Sequence, residues 1–232
     1  MVRRGQRARY LAVLFDLDGT LLDTVQDLAD SVNIVLSSFG FPQHDTEAYK
    51  YFVGDGVEEL ARRALPEGHR DQATLAQSVA AIREEYSRRW ANKTRPYEGV
   101  PELLDALSAS DIRMAILSNK PDDSTRATVS RLLPKWHFEP VVGASPSVPM
   151  KPDPGGALAI ARSLNLPPDE FLYLGDTATD MKTARAAGMY PVGALWGFRT
   201  AEELIENGAR TTIGKPGQLL KLLWAIDPRQ RL

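Results

Sequence analysis

From residue 100 onward, short apolar runs alternate with amphipathic stretches of helical length, and few folds accept that rhythm. Residues 100–108 read as a helix and "IRMAILS" as a strand. A helix over 121–133 precedes the strand "PVVGA", and a helix over 155–164 precedes the strand "FLYLGD". A helix over 177–187, closed by Gly188, leads into the strand "YPVGALW". Strands that alternate with helices of this length predict an α/β protein with a parallel sheet covered on both faces.

An earlier strand, residues 11–15, belongs to the same sheet, but the next core strand starts near Ile112. A crossover between parallel strands takes roughly 30 residues, so about 65 are surplus. Their patterns are helical. Leu28, Val32, Val35 and Phe39 recur on one helix face, and Gly40 and Pro42 end it. "VGDGVEELARRALPEG" is a glycine turn and a short helix stopped by Pro66 and Gly68. Residues 72–91 form a longer amphipathic helix, and "NKTRPYEGVP" reads as a connection. The expected architecture is a doubly wound, Rossmann-like core of residues 1–23 and 97–232, with an inserted all-helical cap of residues 24–96. Thr24 and the segment Thr94 to Pro96 would be its hinges.

In an open α/β sheet, ligands bind at the carboxyl ends of the strands. Four predicted strand ends carry polar residues: "DLDGT" at 16–20, "LSNKP" at 117–121, "MKPDP" at 150–154 and "GDTATD" at 175–180. One crevice would then hold Asp16, Asp18, Ser118, Asn119, Lys151, Asp176 and Asp180. Carboxylates, a lysine and small hydroxyl and amide groups make a site for a hard cation and a phosphate. The carboxylates and a phosphate dianion could not share one crevice without a divalent cation and Lys151 to offset their charge.

Together, these motifs resemble those of the haloacid dehalogenase superfamily of phosphatases. The helical insertion after the first motif, with "VGDGVEELARRAL", "SNKPDD" and "TARAAGM", resembles the phosphoglycolate phosphatases within it. The resemblance implies a magnesium ion on Asp16, the backbone carbonyl of Asp18, and Asp176. Asp180 would be a further ligand or would steer Lys151. Physical chemistry agrees with the remaining roles. Asp16 would attack phosphorus and split hydrolysis into two easier steps. Asp18, two residues on, can face the same crevice and move protons to the leaving group and from water. Gly19 lets the backbone bend and a ligand approach. Ser118, Asn119 and the amides of a helix beginning at Pro121 would hold phosphate oxygens, and Lys151 would offset charge on the phosphoryl group. In the cap, the loop Gly54, Asp55 and Gly56 would meet the site. Arg62 or Arg63, one helical turn on, would bind a carboxylate of the substrate, most simply 2-phosphoglycolate.

Composition narrows the partners. A formal charge of −2 gives no pull toward nucleic acid or anionic membrane. No cysteine is present, which excludes thiol catalysis and disulfides and fits a cytoplasmic protein. No apolar run is long enough to span a bilayer. The start "MVRRGQRARY" and the end "DPRQRL" read as basic tails. The partner is a small-molecule phosphate ester, with a monomer or homodimer expected. Alternatives within the superfamily are a β-phosphoglucomutase-like enzyme, a pyrophosphatase or a nucleotidase. Halide release needs neither Asp18 nor a metal, which disfavours a dehalogenase. A phosphoacceptor signalling module is the alternative of another class, but it needs no proton donor two residues past its aspartate.

Overall fold

The structure, a computed structural model, describes residues 8–224. In chain order its elements are β1 (Ala12–Phe15), β2 (Leu22–Asp23), α1 (Val25–Ser38), α2 (Thr46–Phe52), α3 (Val57–Ala64), α4 (Gln72–Arg89) and β3 (Arg95–Pro96). Next come α5 (Val100–Ser108), β4 (Arg113–Pro121), α6 (Asp122–Leu132), β5 (Val141–Ala144), α7 (Gly155–Ser163), β6 (Phe171–Gly175) and α8 (Ala178–Ala186). The chain closes with β7 (Tyr190–Ala194), α9 (Ala201–Glu206), β8 (Thr211–Ile213) and α10 (Leu219–Leu223).

Six strands form one parallel sheet in the order β5-β4-β1-β6-β7-β8. The period of two explains its unbroken apolar strands. Val13 and Phe15 of β1, Met114 and Ile116 of β4, and Leu172 and Leu174 of β6 enter the core on one face. Ala12, Leu14, Ala115, Leu117, Phe171 and Tyr173 enter the core on the other. Both faces are covered, so the middle of each central strand stays apolar, and β4 turns polar only at Ser118 to Lys120, near its carboxyl end. The chain leaves β1 for β4 and β5, then crosses to β6 and continues outward. The ends of β1 and β6 therefore flank the reversal of strand order, where a crevice opens.

Helices α1 to α4 lie between β2 and β3 and share a separate apolar core that includes Val32, Tyr49, Leu60, Leu75 and Ile82. The expected connection "NKTRPYEGVP" contains a strand: β3 pairs antiparallel with β2, Leu22 opposite Pro96 and Asp23 opposite Arg95. Asp27, buried at the start of α1, accepts hydrogen bonds from the Lys93 and Thr94 backbone N–H groups and from the Thr94 hydroxyl at 2.7–3.1 Å. Entry to and exit from the helical layer are thus pinned to each other.

Several sequence readings need correction. Phe39 is 38% exposed, because α1 ends at Ser38 and Gly40 turns the chain with φ +73°. Pro121 is not the first residue of α6; its extended ψ of 141° places it just outside. Lys151 leaves a loop before α7 and not a strand end, since β5 stops at Ala144. Arg9, read as part of a solvated tail, donates its backbone N–H to Leu223 O at 2.9 Å and sits over the Tyr10 ring. Arg3, Arg4, Arg7 and "DPRQRL" lie outside the described residues. No helix among the described residues is long and apolar enough to cross a membrane.

Candidate active site

Asp16 continues the ladder past the end of β1, donating its N–H to Leu174 O at 2.9 Å. The chain then folds back, with Leu17 O accepting from the N–H groups of Leu21 and Leu22 at 3.0 Å. Gly19 sits in this turn at φ +91°. A Cβ there would lie 2.3 Å from Asp176 Oδ2, so only glycine lets the loops after β1 and β6 meet.

Asp176 follows β6 and is held from two sides. Thr20 Oγ1 donates to its Oδ1 at 2.8 Å, and Phe198 N donates to its Oδ2 at 2.8 Å. Asp180 stands at the third position of α8 in a reciprocal cap with Thr177. Its Oδ2 accepts from Thr177 N and Oγ1 at 3.1 and 2.7 Å, and its Oδ1 accepts from Lys151 Nζ at 2.7 Å and the Tyr173 hydroxyl at 3.3 Å. Lys151 Nζ also donates to Asp16 Oδ1 at 2.7 Å. Asp16 and Asp180 thus share the Lys151 ammonium.

All four side chains are buried, and the single ammonium pairs with only two of the three carboxylates, Asp16 and Asp180. Burial, then the charge of Asp180, raises the Asp16 carboxyl well above the usual range, with Lys151 pulling the other way. Burial and Asp180 push Asp176 up to about 7, against the Phe198 N–H and the Thr20 hydroxyl. Burial opposes charge on Lys151, but Asp16 and Asp180 outweigh it and hold the ammonium protonated. One oxygen from each of Asp16, Asp176 and Asp180 lies within 4.8 Å of the others. Surplus negative charge on close, hard oxygen donors fits a divalent cation such as magnesium. Asp18 is not part of this carboxylate group.

Asp16 and Asp18 open onto a cavity of about 700 Å³ between the sheet and the helical layer. Ser118, Asn119 and Lys151 line it from the core, and Gly54 and Gly56 from the expected loop. The Asn119 side chain is already engaged. It donates to Gly54 O and Lys151 O at 3.0 Å and accepts from Lys151 N at 2.8 Å, so it ties three segments together. Asp55 bonds outward, to Arg63 at 2.6 Å and to the Thr179 hydroxyl at 3.0 Å.

Arg62 and Arg63 do not reach this cavity. They line a separate depression with Tyr51, Phe52, Glu59 and Arg70. Arg62 pairs with Glu58 and Glu59, and Arg63 with Asp55 and Glu59, because the first turn of α3 is acidic and its last turn basic.

Lys120 and Tyr86, which reach Asp18 across the cavity, were among the cavity residues absent from the sequence reading. Lys120 Nζ donates to Asp18 Oδ1 at 3.0 Å and to the Tyr86 hydroxyl of α4 at 2.9 Å. Burial opposes the charge on Lys120, but Asp18 foremost holds its pKa above the ordinary value. A signal existed: Lys120 belongs to the same polar run, Ser118 to Lys120, that closes β4.

One loop of the core reaches both the carboxylates and the helical layer. Trp196 Nε1 donates to Thr20 O at 2.9 Å, and Gly197 packs against the Asp176 side chain. Phe198 offers its N–H to Asp176 while its ring enters the core of α1 to α4. Arg199 donates to the carbonyls of Lys50 and Val53 at the end of α2, and lies 5.3 Å from the centre of the Tyr51 ring.

Comparison with known proteins agrees with this geometry. Residues 13–194 match the haloacid dehalogenase-like hydrolase family. A phosphoglycolate phosphatase of Pseudomonas putida is 34% identical over 190 residues, covering 80% of this chain and 70% of that one. A phosphoglycolate phosphatase of Aquifex aeolicus is 28% identical over 211 residues, covering 91% and 95%. The crystal structure of a provisionally named phosphoglycolate phosphatase from Lactobacillus delbrueckii subsp. bulgaricus superposes with a TM-score of 0.87 at 25% identity. It covers 94% of this chain and 99% of that one. The chain belongs to the haloacid dehalogenase-like hydrolase family. Within that family it is an enzyme of the phosphatase class.

Proposed function

We propose that the protein is a magnesium-dependent phosphomonoesterase working through a phosphorylated Asp16. The observation that carries this is the placement of Asp16 and Asp18 side by side on the cavity, with Lys151 bonded to Asp16 and two further carboxylates behind it. An oxygen of Asp16 attacks phosphorus, the bond from phosphorus to the leaving oxygen breaks, and that oxygen takes a proton from Asp18. Water that gives its proton to Asp18 then attacks phosphorus and releases Asp16.

Lys151, Ser118, Asn119 and the Gly19 turn would hold the phosphoryl oxygens, with Asn119 acting through its backbone. Magnesium would sit on Asp16, Asp176 and the Asp18 carbonyl and offset charge at the phosphoryl group. Asp180 would support Lys151. Residues 24–96 would serve as a cap on a core of residues 1–23 and 97–232, with the loop 54–56 closing over the ester and excluding water. The names of the relatives favour 2-phosphoglycolate as substrate, and a cytoplasmic location suits such a metabolite.

The test is phosphate release from 2-phosphoglycolate, a hexose phosphate, pyrophosphate, a nucleotide and p-nitrophenyl phosphate, with magnesium and after chelation. Many turnovers per protein, lost on chelation, are expected. A single stoichiometric labelling of the protein would instead identify a phosphoacceptor module.

A further inference from the structure

We infer that Arg83 anchors the leaving group: it binds a carboxylate at the end of the ester far from phosphorus, and the apolar wall beside it accepts leaving groups longer than two carbons. This rests on the phosphomonoesterase reading. Three cations line the cavity. Lys151 is engaged by Asp16 and Asp180, and Lys120 by Asp18 and Tyr86. Arg83 has no carboxylate or hydrogen-bond partner among the described residues.

The sequence of α4 explains why. Side chains three or four apart meet on a helix, and those one or two apart do not. Arg88 therefore pairs with Glu84 and Glu85, and Arg89 with Glu85. Arg83 has Val79, Ala80, Tyr86 and Ser87 at the meeting positions, none of them acidic. Glu84 and Glu85 follow it too closely to turn back.

Its position suits a distal anion. Arg83 precedes Tyr86 by one helical turn, and the Tyr86 hydroxyl contacts the lysine that holds Asp18. Arg83 is exposed, whereas Asp16 at the floor is buried, so the two ends of a bound ester would lie at the mouth and the floor. The same cavity is lined by hydrocarbon from Leu28, Val57, Leu60, Ile82 and Trp90. Asp123 also lines the cavity, and its Oδ1 already accepts from the Ser124 N–H and hydroxyl. A two-carbon leaving group fills little of about 700 Å³.

The test compares two ester series of increasing chain length, ω-phosphooxy carboxylates and the matched neutral alkyl phosphates, on the magnesium-loaded full chain. Wild type should favour the acid over its neutral partner by about 10- to 100-fold in kcat/KM, as expected for one hydrogen-bonded charge pair. The preference should persist beyond two carbons. In Arg83→Gln the acid-to-neutral ratio should collapse, chiefly through KM, and Arg83→Lys should restore part of it. A melting curve verifies that each variant folds. Equal rates on both series in wild type, or an unchanged ratio in Arg83→Gln, would overturn the assignment. Loss of turnover with every acid longer than two carbons would overturn the role of the apolar wall. Release of phosphate from neither series would overturn the phosphatase reading as well, which separates the two failures.

Discussion

Removing one carboxylate from a crowded site should have opposite effects on chemistry and on stability. Asp16→Asn is near-isosteric, but an amide cannot attack phosphorus. Its turnover should fall by about three orders of magnitude, as when a whole chemical step is removed. The melting temperature should rise, because burial and Asp180 both disfavour the charge that is lost. Residual activity above about 1% of wild type would exclude Asp16 as nucleophile. For Asp18→Asn, turnover of alkyl phosphates should drop far more than the first step on p-nitrophenyl phosphate, whose leaving group scarcely needs a proton. A burst should follow, since the second step still needs a base; equal losses without a burst would remove Asp18 from proton transfer. Asp176 gives a pH dependence. Its folded pKa is about 7, against roughly 3.9 for a free aspartate. Between those values the folded state holds the proton that the unfolded chain releases, so rising pH destabilises the metal-free fold. Its melting temperature should fall from pH 5 to pH 8, and Asp176→Asn should flatten that decline. A slope unchanged by the substitution would contradict it.

Asp16 and Asp176 were legible because each follows an apolar run. Polar residues are excluded from the middle of a strand buried on both faces, so they mark the approach of its end. Lys120 and Tyr86 were not, because a lysine at a strand end and a tyrosine on an amphipathic helix both read as solvated or structural. Among elements, long periodic ones were legible and short ones were not. β8 is three residues long, and the pair β2 and β3 contributes two residues each, too little for a period to show. α2 was also hidden, its seven residues mixing aromatic and charged side chains. What fixes the β2–β3 junction is a long-range contact, Asp27 with Lys93 and Thr94, which no local pattern announces. Asp27→Ala leaves those buried donors without an acceptor. It should lower stability by roughly 2 to 3 kcal/mol, read as a shift in denaturant midpoint at constant slope. A midpoint within experimental error of wild type would show that water replaces the carboxylate.

Across the whole molecule, the loop from Trp196 to Arg199 touches at once Asp176, one of the three clustered carboxylates, and the helices that roof the cavity. Thermodynamic reciprocity then applies: whatever an ion contributes to holding the roof down, the roof contributes equally to retaining the ion. The protein would read the presence of its metal as a change in shape and report its shape as a change in metal affinity. Arg199→Ala, which touches none of Asp16, Asp176 and Asp180, should therefore weaken magnesium binding by about fivefold or more. Saturating magnesium should slow proteolysis at the Lys93–Pro96 connection in wild type and do so less in the variant. Calorimetry showing the same magnesium affinity in both proteins would mean that the roof moves without the metal site feeling it.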